Sequence, residues 1–277
     1  MAKLTITAVS ERVTVRQGAD IVACTGEARQ LSEGARAPVL YLPIQNALAA
    51  RHVPTTHRTH CPLKGEAAYF SVGDAKNKAW IYYDPIPAAA DIAEHLAYYP
   101  DTVEITHDPL PPLADAAADI FQFWFNELPA DMHFKQDDKV DAAIRDRFGA
   151  LHRKAAEGYL TAWMDHPRGA LAIIILLDQF SRNLFRGSAE AFAQDAAARV
   201  ITHQMIERGD DLFLRPDERA FAYLPLMHSE ALDDQNQCVE LFQDRLPGSV
   251  NVAYALSHRQ DIHQHGRFPY RDEALGR

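Results

Sequence analysis

Asp178, Arg182 and Arg186 recur at intervals of four, so on a helix they share one face and set a carboxylate beside two guanidinium groups, with Asn183 adjacent. Arg267 and Arg271 repeat the same spacing and add two more cations. A guanidinium fork matches the oxygens of a carboxylate or phosphate, so four convergent arginines in an acidic surrounding would form a focused site for a small anionic ligand. The competing reading of Asp178 and Arg182 is an internal salt bridge that fixes a bundle helix. His228 and Glu230 are two apart, which puts them on different faces of a regular helix unless His228 stands at a helix entrance after a break at Pro225. In that case both line one cleft. Glu230 and Asp234 are four apart and His258 and Asp261 three apart. Two carboxylates and two imidazoles suit general acid/base work near neutral pH or a divalent metal held between helices. The spacing is neither the Glu-x-x-His pair of di-iron bundles nor an HExxH, so no metal is assigned. Catalytic roles are therefore expected of His228, Glu230 and His258, and ligand contacts of Asp178, Arg182, Asn183, Arg186, Asp234, Arg267 and Arg271. Against them stands capping and hydrogen bonding between helices by buried polar groups.

A separate candidate lies upstream. Cys61 follows His60 and precedes Lys64, and nearby cations can turn a thiol into a nucleophilic thiolate. Lys64-Gly65 offers an ammonium and a bare backbone to an anion, yet without the Gly-rich loop and hydroxyl of a P-loop. The plain alternative for Cys61 is a packed small residue at a strand end. Cys24, Cys61 and Cys238 include no CxxC pair, which argues against both a disulfide framework and a four-cysteine zinc site.

The elements that must position these residues differ between the two halves. Leu4, Ile6 and Ala8, then Val13 and Val15, a turn at Gly18 and Asp20 to Ala23 alternate with period two, as antiparallel strands do. Tyr69 to Val72, Gly73-Asp74 and Ala79 to Tyr83 read as a further hairpin. Pro109, Pro111 and Pro112 form a semi-rigid connector, and the boundary is placed there: residues 1–108 mainly β, a linker at 109–115, and 116–277 all helical. Beyond it, Val140, Ile144, Phe148, Leu151, Ala155, Tyr159 and Trp163 mark one long amphipathic helix, capped by Asp137 or Asp138 and ended by Pro167. A helix from Ala170 to Asn183, apolar on all sides at Ile173 to Leu177, belongs at the bundle centre. Ser188 is expected to cap a third that Gly209 closes, and Pro216 to open a fourth that Pro225 kinks. Two more are expected over His228 to Leu246 and Val250 to His265, giving six or so helices. Phe123, Trp124 and Phe125 are read as core and not as a base-stacking platform.

Composition bounds what these residues can serve. The chain has 277 residues, 47% hydrophobic and 24% charged, which is ordinary for globular domains. Its formal charge is -10, divided as 10 basic against 12 acidic residues in 1–108 and 18 against 26 in the remainder. An acidic helical half repels a phosphate backbone, which speaks against nucleic acid as a partner. The longest clean apolar run, Ala170 to Leu177, is far below the roughly 20 residues of a membrane span, and Met1 to Val9 shows no export signal, so no membrane partner and a cytoplasmic location are expected.

Two resemblances follow from motif blocks. Tyr41-Leu42-Pro43, Thr59-His60-Cys61-Pro62-Leu63-Lys64-Gly65-Glu66-Ala67-Ala68-Tyr69 and Ala79-Trp80 resemble domain of unknown function family 427, which also carries a nucleotidyltransferase-like label. That resemblance implies an Mss4-like β-tent fold. The family tends to have an Arg-Asp segment where this chain has Ile44-Gln45-Asn46. Phe123-Trp124-Phe125, Leu177 to Asn183, Phe185-Arg186-Gly187, Arg219-Ala220-Phe221, Tyr223-Leu224-Pro225, His228-Ser229-Glu230, Asp234-Gln235, His258 and Gly266 to Arg271 resemble domain of unknown function family 924. The implied fold is all-helical and tetratricopeptide-like. Tyr270 and Asp272 stand where that family usually has His and Asn.

Two functions of different class fit the residues: a small-anion receptor or enzyme with its pocket in the helical half, or a non-catalytic helical scaffold for a peptide or protein partner, with the β half as docking unit. A scaffold of stacked repeats should repeat near 34 residues, and no such period is found. No sequence feature names a cofactor.

Overall fold

The computed structural model describes residues 4–277. Met1–Lys3, the first part of the stretch read against an export signal, lie outside the described residues. The chain divides into two units, Met1–Leu110 with Leu212–Arg215, and Pro111–Asp211 with Pro216–Arg277. A four-residue piece of the helical half is thereby grouped with the β unit, beyond what the proline connector indicates.

The first unit is antiparallel β. Its strands are β1 (Leu4–Ala8), β2 (Arg12–Gln17), β3 (Asp20–Thr25), β4 (Arg29–Glu33), β5 (Val39–Pro43), β6 (His52–Cys61), β7 (Gly65–Val72), β8 (Ala75–Ile81), β9 (His95–Tyr98) and β10 (Glu104–Asp108). They form a seven-stranded sheet ordered β1-β4-β5-β9-β8-β7-β6 and a three-stranded sheet ordered β10-β2-β3. Period-two alternation sorts neighbours onto opposite faces. Leu42, Ala68, Phe70, Ile81 and Leu96 pack with Val13, Val15 and Val22 of the small sheet. Tyr41, Ala67, Tyr69, Tyr82 and Ala97 pack on the other face with Ala89 and Ile92. Gly18 turns the β2–β3 hairpin at φ +61°, a left-handed conformation that costs a glycine little.

The second unit is helical: α1 (Asp115–Phe121), α2 (Asp138–Ala156), α3 (Pro167–Ile174), α4 (Ser181–Leu184), α5 (Asp195–Arg208), α6 (Asp210–Phe213, whose last two residues group with the first unit), α7 (Pro216–Met227), α8 (Leu232–Arg245), α9 (Asn251–His265) and α10 (Asp272–Leu275). π-helical turns at Gln122–Glu127 and Ile175–Phe180 continue α1 and join α3 to α4. As the apolar run implied, Ile173 to Leu177 are all buried. Trp124 and Phe180, both wholly buried, meet at 5.4 Å between ring centres, and Phe221 closes on Trp124 at 5.7 Å. This aromatic core bears out the reading of Phe123 and Trp124, whereas Phe125 is only half-buried.

Several helix limits differ from the periodic reading. α2 stops at Ala156, because Gly158 turns left-handed at φ +79°, and Tyr159 lies 74% exposed beyond the stripe it was expected to extend. Pro167 does not end that helix but opens the next at its first position, where a missing N–H is harmless, and the His166 side chain accepts from the Arg168 amide. Ser188 gives no side-chain cap, and α5 starts seven residues later and ends, as expected, at left-handed Gly209. α7 runs through Pro225 to Met227. His228 to Ala231 form the turn before α8, so the helix expected from His228 begins at Leu232.

Asp137 caps α2 by accepting from the Lys139 and Val140 amides. Removing the acceptor leaves both donors to water. Asp137→Ala should lower stability by about 1 kcal/mol and the Tm of the helical unit by roughly 2–4 °C, read by circular dichroism.

Candidate functional site

The site grows from the π-helical turns at Ile175–Phe180. Asp178 is wholly buried there, so its carboxylate must find donors within the protein. It finds three. His228 Nδ1 lies 2.8 Å from Asp178 Oδ1, Gln179 Nε2 donates to Oδ2 at 2.5 Å, and Arg182 Nη1 stands 3.2 Å from Oδ1, at the four-residue spacing seen in the sequence. Arg182 also donates to the Asp178 carbonyl at 2.6 Å and forks onto Asp195 at 3.1 and 3.2 Å. Asp195 holds a second arginine: Arg271 Nη1 is 3.2 Å away, and Arg271 Nη2 donates to the His228 carbonyl at 3.0 Å. The Arg271 guanidinium itself lies over the rings of Phe192 at 4.6 Å and Phe268 at 4.7 Å.

Burial by itself pushes the Asp178 carboxyl up. Arg182 and then His228, with the hydrogen bonds from His228 and Gln179, more than reverse this and hold it well below the usual carboxylate range. His228 moves down, first because burial disfavours its charged form and next because Arg182 repels it, with Asp178 opposing both. The imidazole is therefore neutral at neutral pH. Its Nδ1 carries the proton donated to Asp178, which leaves Nε2 as a lone-pair acceptor with no hydrogen-bond partner among the described residues. Burial works against the Arg182 charge too, yet Asp178 and Asp195 outweigh it and hold that guanidinium firmly protonated.

His228, Gln179, Arg182, Asn183 and Arg186 line a cleft of about 160 Å³, together with His133, Phe134 and Lys135 from the turn ahead of α2. Arg186 grips Asp141 with Nε at 2.9 Å and Nη2 at 2.8 Å, and Asn183 Nδ2 donates to the same carboxylate at 2.7 Å. Lys135 is paired with Asp131 at 2.6 Å on the rim. Each of these cations thus has a carboxylate of its own. The cleft offers donors and one neutral base more than it offers net positive charge.

The structure unites Asp178, Arg182, Asn183, Arg186 and His228, and sets Arg271 behind them. It does not bring in the others. Glu230 lies in the turn before α8 and is spent on the Phe268 amide at 3.0 Å and Arg277 at 2.5 Å, so it shares no helix face with Asp234. His258 stands 6.4 Å from the His228 ring, but its Nδ1 serves the Tyr254 carbonyl one turn back and it does not line the cleft. Asp234 binds Arg199, His203 and Ser229, and Arg267 pairs at the surface with Asp272. The four arginines therefore do not converge. In the β unit, Lys64 Nζ is buried on Glu33 at 2.6 Å and His60 is paired with Glu66, so the basic side chains near half-buried Cys61 are already committed to carboxylates.

Sequence reasoning missed Asp195, Asp141, Gln179 and the His133-Phe134-Lys135 turn. Gln179 sits inside the Leu177 to Asn183 block and was legible there, but the turn has neither periodicity nor motif. Among the described residues no group of three or more His, Cys, Asp or Glu is placed to hold a metal, and no helix is long and apolar enough to cross a membrane.

Comparison with known proteins agrees with the division of the fold. Residues 120–277 match the family described as bacterial protein of unknown function (DUF924), and residues 5–109 match a domain of unknown function (DUF427). A solved structure of a protein of unknown function, ATU0120 from Agrobacterium tumefaciens, is 38% identical over 60% of this chain and 93% of that one, with a TM-score of 0.57. No curated protein matches.

A His buried in its neutral form makes the native state resist protonation, so stability falls as pH drops below the unfolded-state value near 6.5, where the unfolded chain takes up the proton first. Nitrogen-detected NMR should show His228 as the Nδ1–H tautomer and taking up its proton at lower pH than an exposed histidine. Asp178→Asn should scramble that tautomer and, by leaving buried charge unbalanced, cost roughly 3 kcal/mol or more in denaturant melts.

Proposed function

We propose, for a chain that belongs to the DUF924 family of bacterial proteins through residues 120–277, that its helical unit is a receptor or enzyme for a small anionic metabolite, bound in the Arg182–Arg186–Lys135 cleft with His228 as its proton acceptor. Family membership brings no reaction with it, so the reading rests on the site. The observation that carries it is the Asp178–His228 pair at 2.8 Å. A buried carboxylate that fixes one nitrogen of an imidazole lining a cleft, and leaves the other without a partner, is the arrangement that makes a histidine a directed general base. The donors around it give an incoming carboxylate or phosphate oxygen its partners: the outer Nη1 of Arg186, the Lys135 ammonium and the Gln179 amide.

A scaffold for a peptide or protein partner would carry its polar groups along a solvated surface. Here they gather on one cleft, which favours the small-ligand reading.

Thermal-shift screening of small carboxylates and inorganic phosphate tests this, because binding free energy adds to apparent stability. Arg182→Ala is a poor probe, since it strips the buried Asp178 and the partly buried Asp195 of a partner. Lys135→Ala, at a mostly exposed side chain, and His228→Gln are better. The expected result is a shift with at least one anion that each variant cuts at least threefold in affinity, and movement of the His228 ring signals on titration. Equal shifts in wild type and both variants, with the His228 signals unmoved, would reject the reading.

A further inference from the structure

The polar cleft adjoins a second concavity that the charged residues do not explain, the two sharing His133 and Phe134 as walls. This groove of about 550 Å³ runs between the end of α1, α7 and the turn joining α8 to α9. Its walls are Phe125, Leu128, Phe221, Leu224 and Leu246. Phe134 is 67% exposed, yet its ring lies nearly parallel to Phe221, at 8° and 6.0 Å, and so extends the aromatic wall to the cleft mouth. His133 is fixed at the junction: its ring stacks on Trp124 at 4.6 Å, its Nε2 serves the Trp124 carbonyl at 2.7 Å, and burial pushes its pKa down, so it brings no charge there.

We infer that the ligand of this site is an amphiphilic monoanion, a carboxylate on an apolar chain or ring, with its head on the donors of Arg186 and Lys135 and its tail in the groove beyond Phe134. This rests on the proposed reading of the cleft and adds the substrate class. Size decides the tail: 160 Å³ accommodates a head group of a few atoms, whereas the groove falls in the range of roughly 300–1,000 Å³ typical of ligand pockets. Charge decides the head. Arg182, Arg186 and Lys135 are already matched by Asp178, Asp195, Asp141 and Asp131, so no surplus positive charge remains and each added negative charge costs more; one carboxylate, held by the donors left over, costs less than a dianion. The orientation follows as well, because Asp217 lines the groove and leaves the donor-rich cleft as the favourable end for an anionic head.

Isothermal titration of the full chain with acetate, butanoate, hexanoate and octanoate, below any micelle concentration, tests the inference, with inorganic phosphate and octan-1-ol as controls. Affinity should rise with length, by up to about fourfold for each methylene fully buried. Octanoate should exceed both controls at least tenfold. Ala220→Phe, which fills the groove, should remove most of the length dependence, with acetate reporting whether the cleft is intact, and Arg186→Gln should weaken every carboxylate by a similar factor. Affinity that stays flat from acetate to octanoate would overturn the tail and leave the cleft reading standing. Octan-1-ol binding as well as octanoate, or octanoate indifferent to Arg186→Gln, would overturn the placement of the head. No heat and no thermal shift with any carboxylate or phosphate would overturn both.

Discussion

The helical unit is organised around the cost of burying one carboxylate. Asp178 has no exposed surface, and an ionised side chain in such a place is tolerated only when donors surround it. Supplying them combines near neighbours in the chain, Gln179 and Arg182, with a distant one, His228 from the turn after α7. Arg182, partly buried itself, also pairs with Asp195 at the start of α5, and Asp195 gathers Arg271 from the last segment of the chain. Arg271 then donates to the His228 carbonyl, so the circuit closes on a partner of the carboxylate where it began. His228 is held by its ring on one side and by its backbone on the other.

That closure gives the histidine its chemical character. An exposed imidazole titrates near neutral pH and samples both tautomers, whereas burial and the neighbouring guanidinium keep His228 neutral and Asp178 chooses which nitrogen bears the proton. The π-helical turns contribute geometrically. They sit where α3 passes into α4, and they carry both Asp178 and Gln179. The same segment ends in Phe180, whose ring packs against Trp124 and Phe148, so the polar network is anchored directly to the aromatic core.

The β unit follows a different principle. Two opposed faces of one sheet are filled by alternate residues, and the ionisable groups near its Cys-Pro-x-Lys-Gly block are spent on structure, with Lys64 tied to Glu33 in a nearly buried ion pair. Its match to a domain of unknown function sits beside a separate match for the helical half, and fusion of two domains does not make their chemistry common.

The sequence by itself determined the division into a β half and a helical half, because period two and period 3.6 are local properties of which residues must face a core. Local spacing also sufficed for the Asp178–Arg182 pair and for the left-handed glycines that end α5 and α9, since each lies within a turn or two of chain. Only the tertiary structure decided which charged residues belong together. Arg267 and Arg186 are alike as sequence, yet one pairs with Asp272 at the surface and the other lines the cleft, and Glu230 is consumed by Arg277 while the unremarkable Asp195 becomes the bridge between two arginines. The two partners of Asp195 lie 13 and 76 residues away in sequence, and they are chosen by which groups burial forces to find a counter-charge. Those meetings are set by helix packing, which no spacing along the chain encodes.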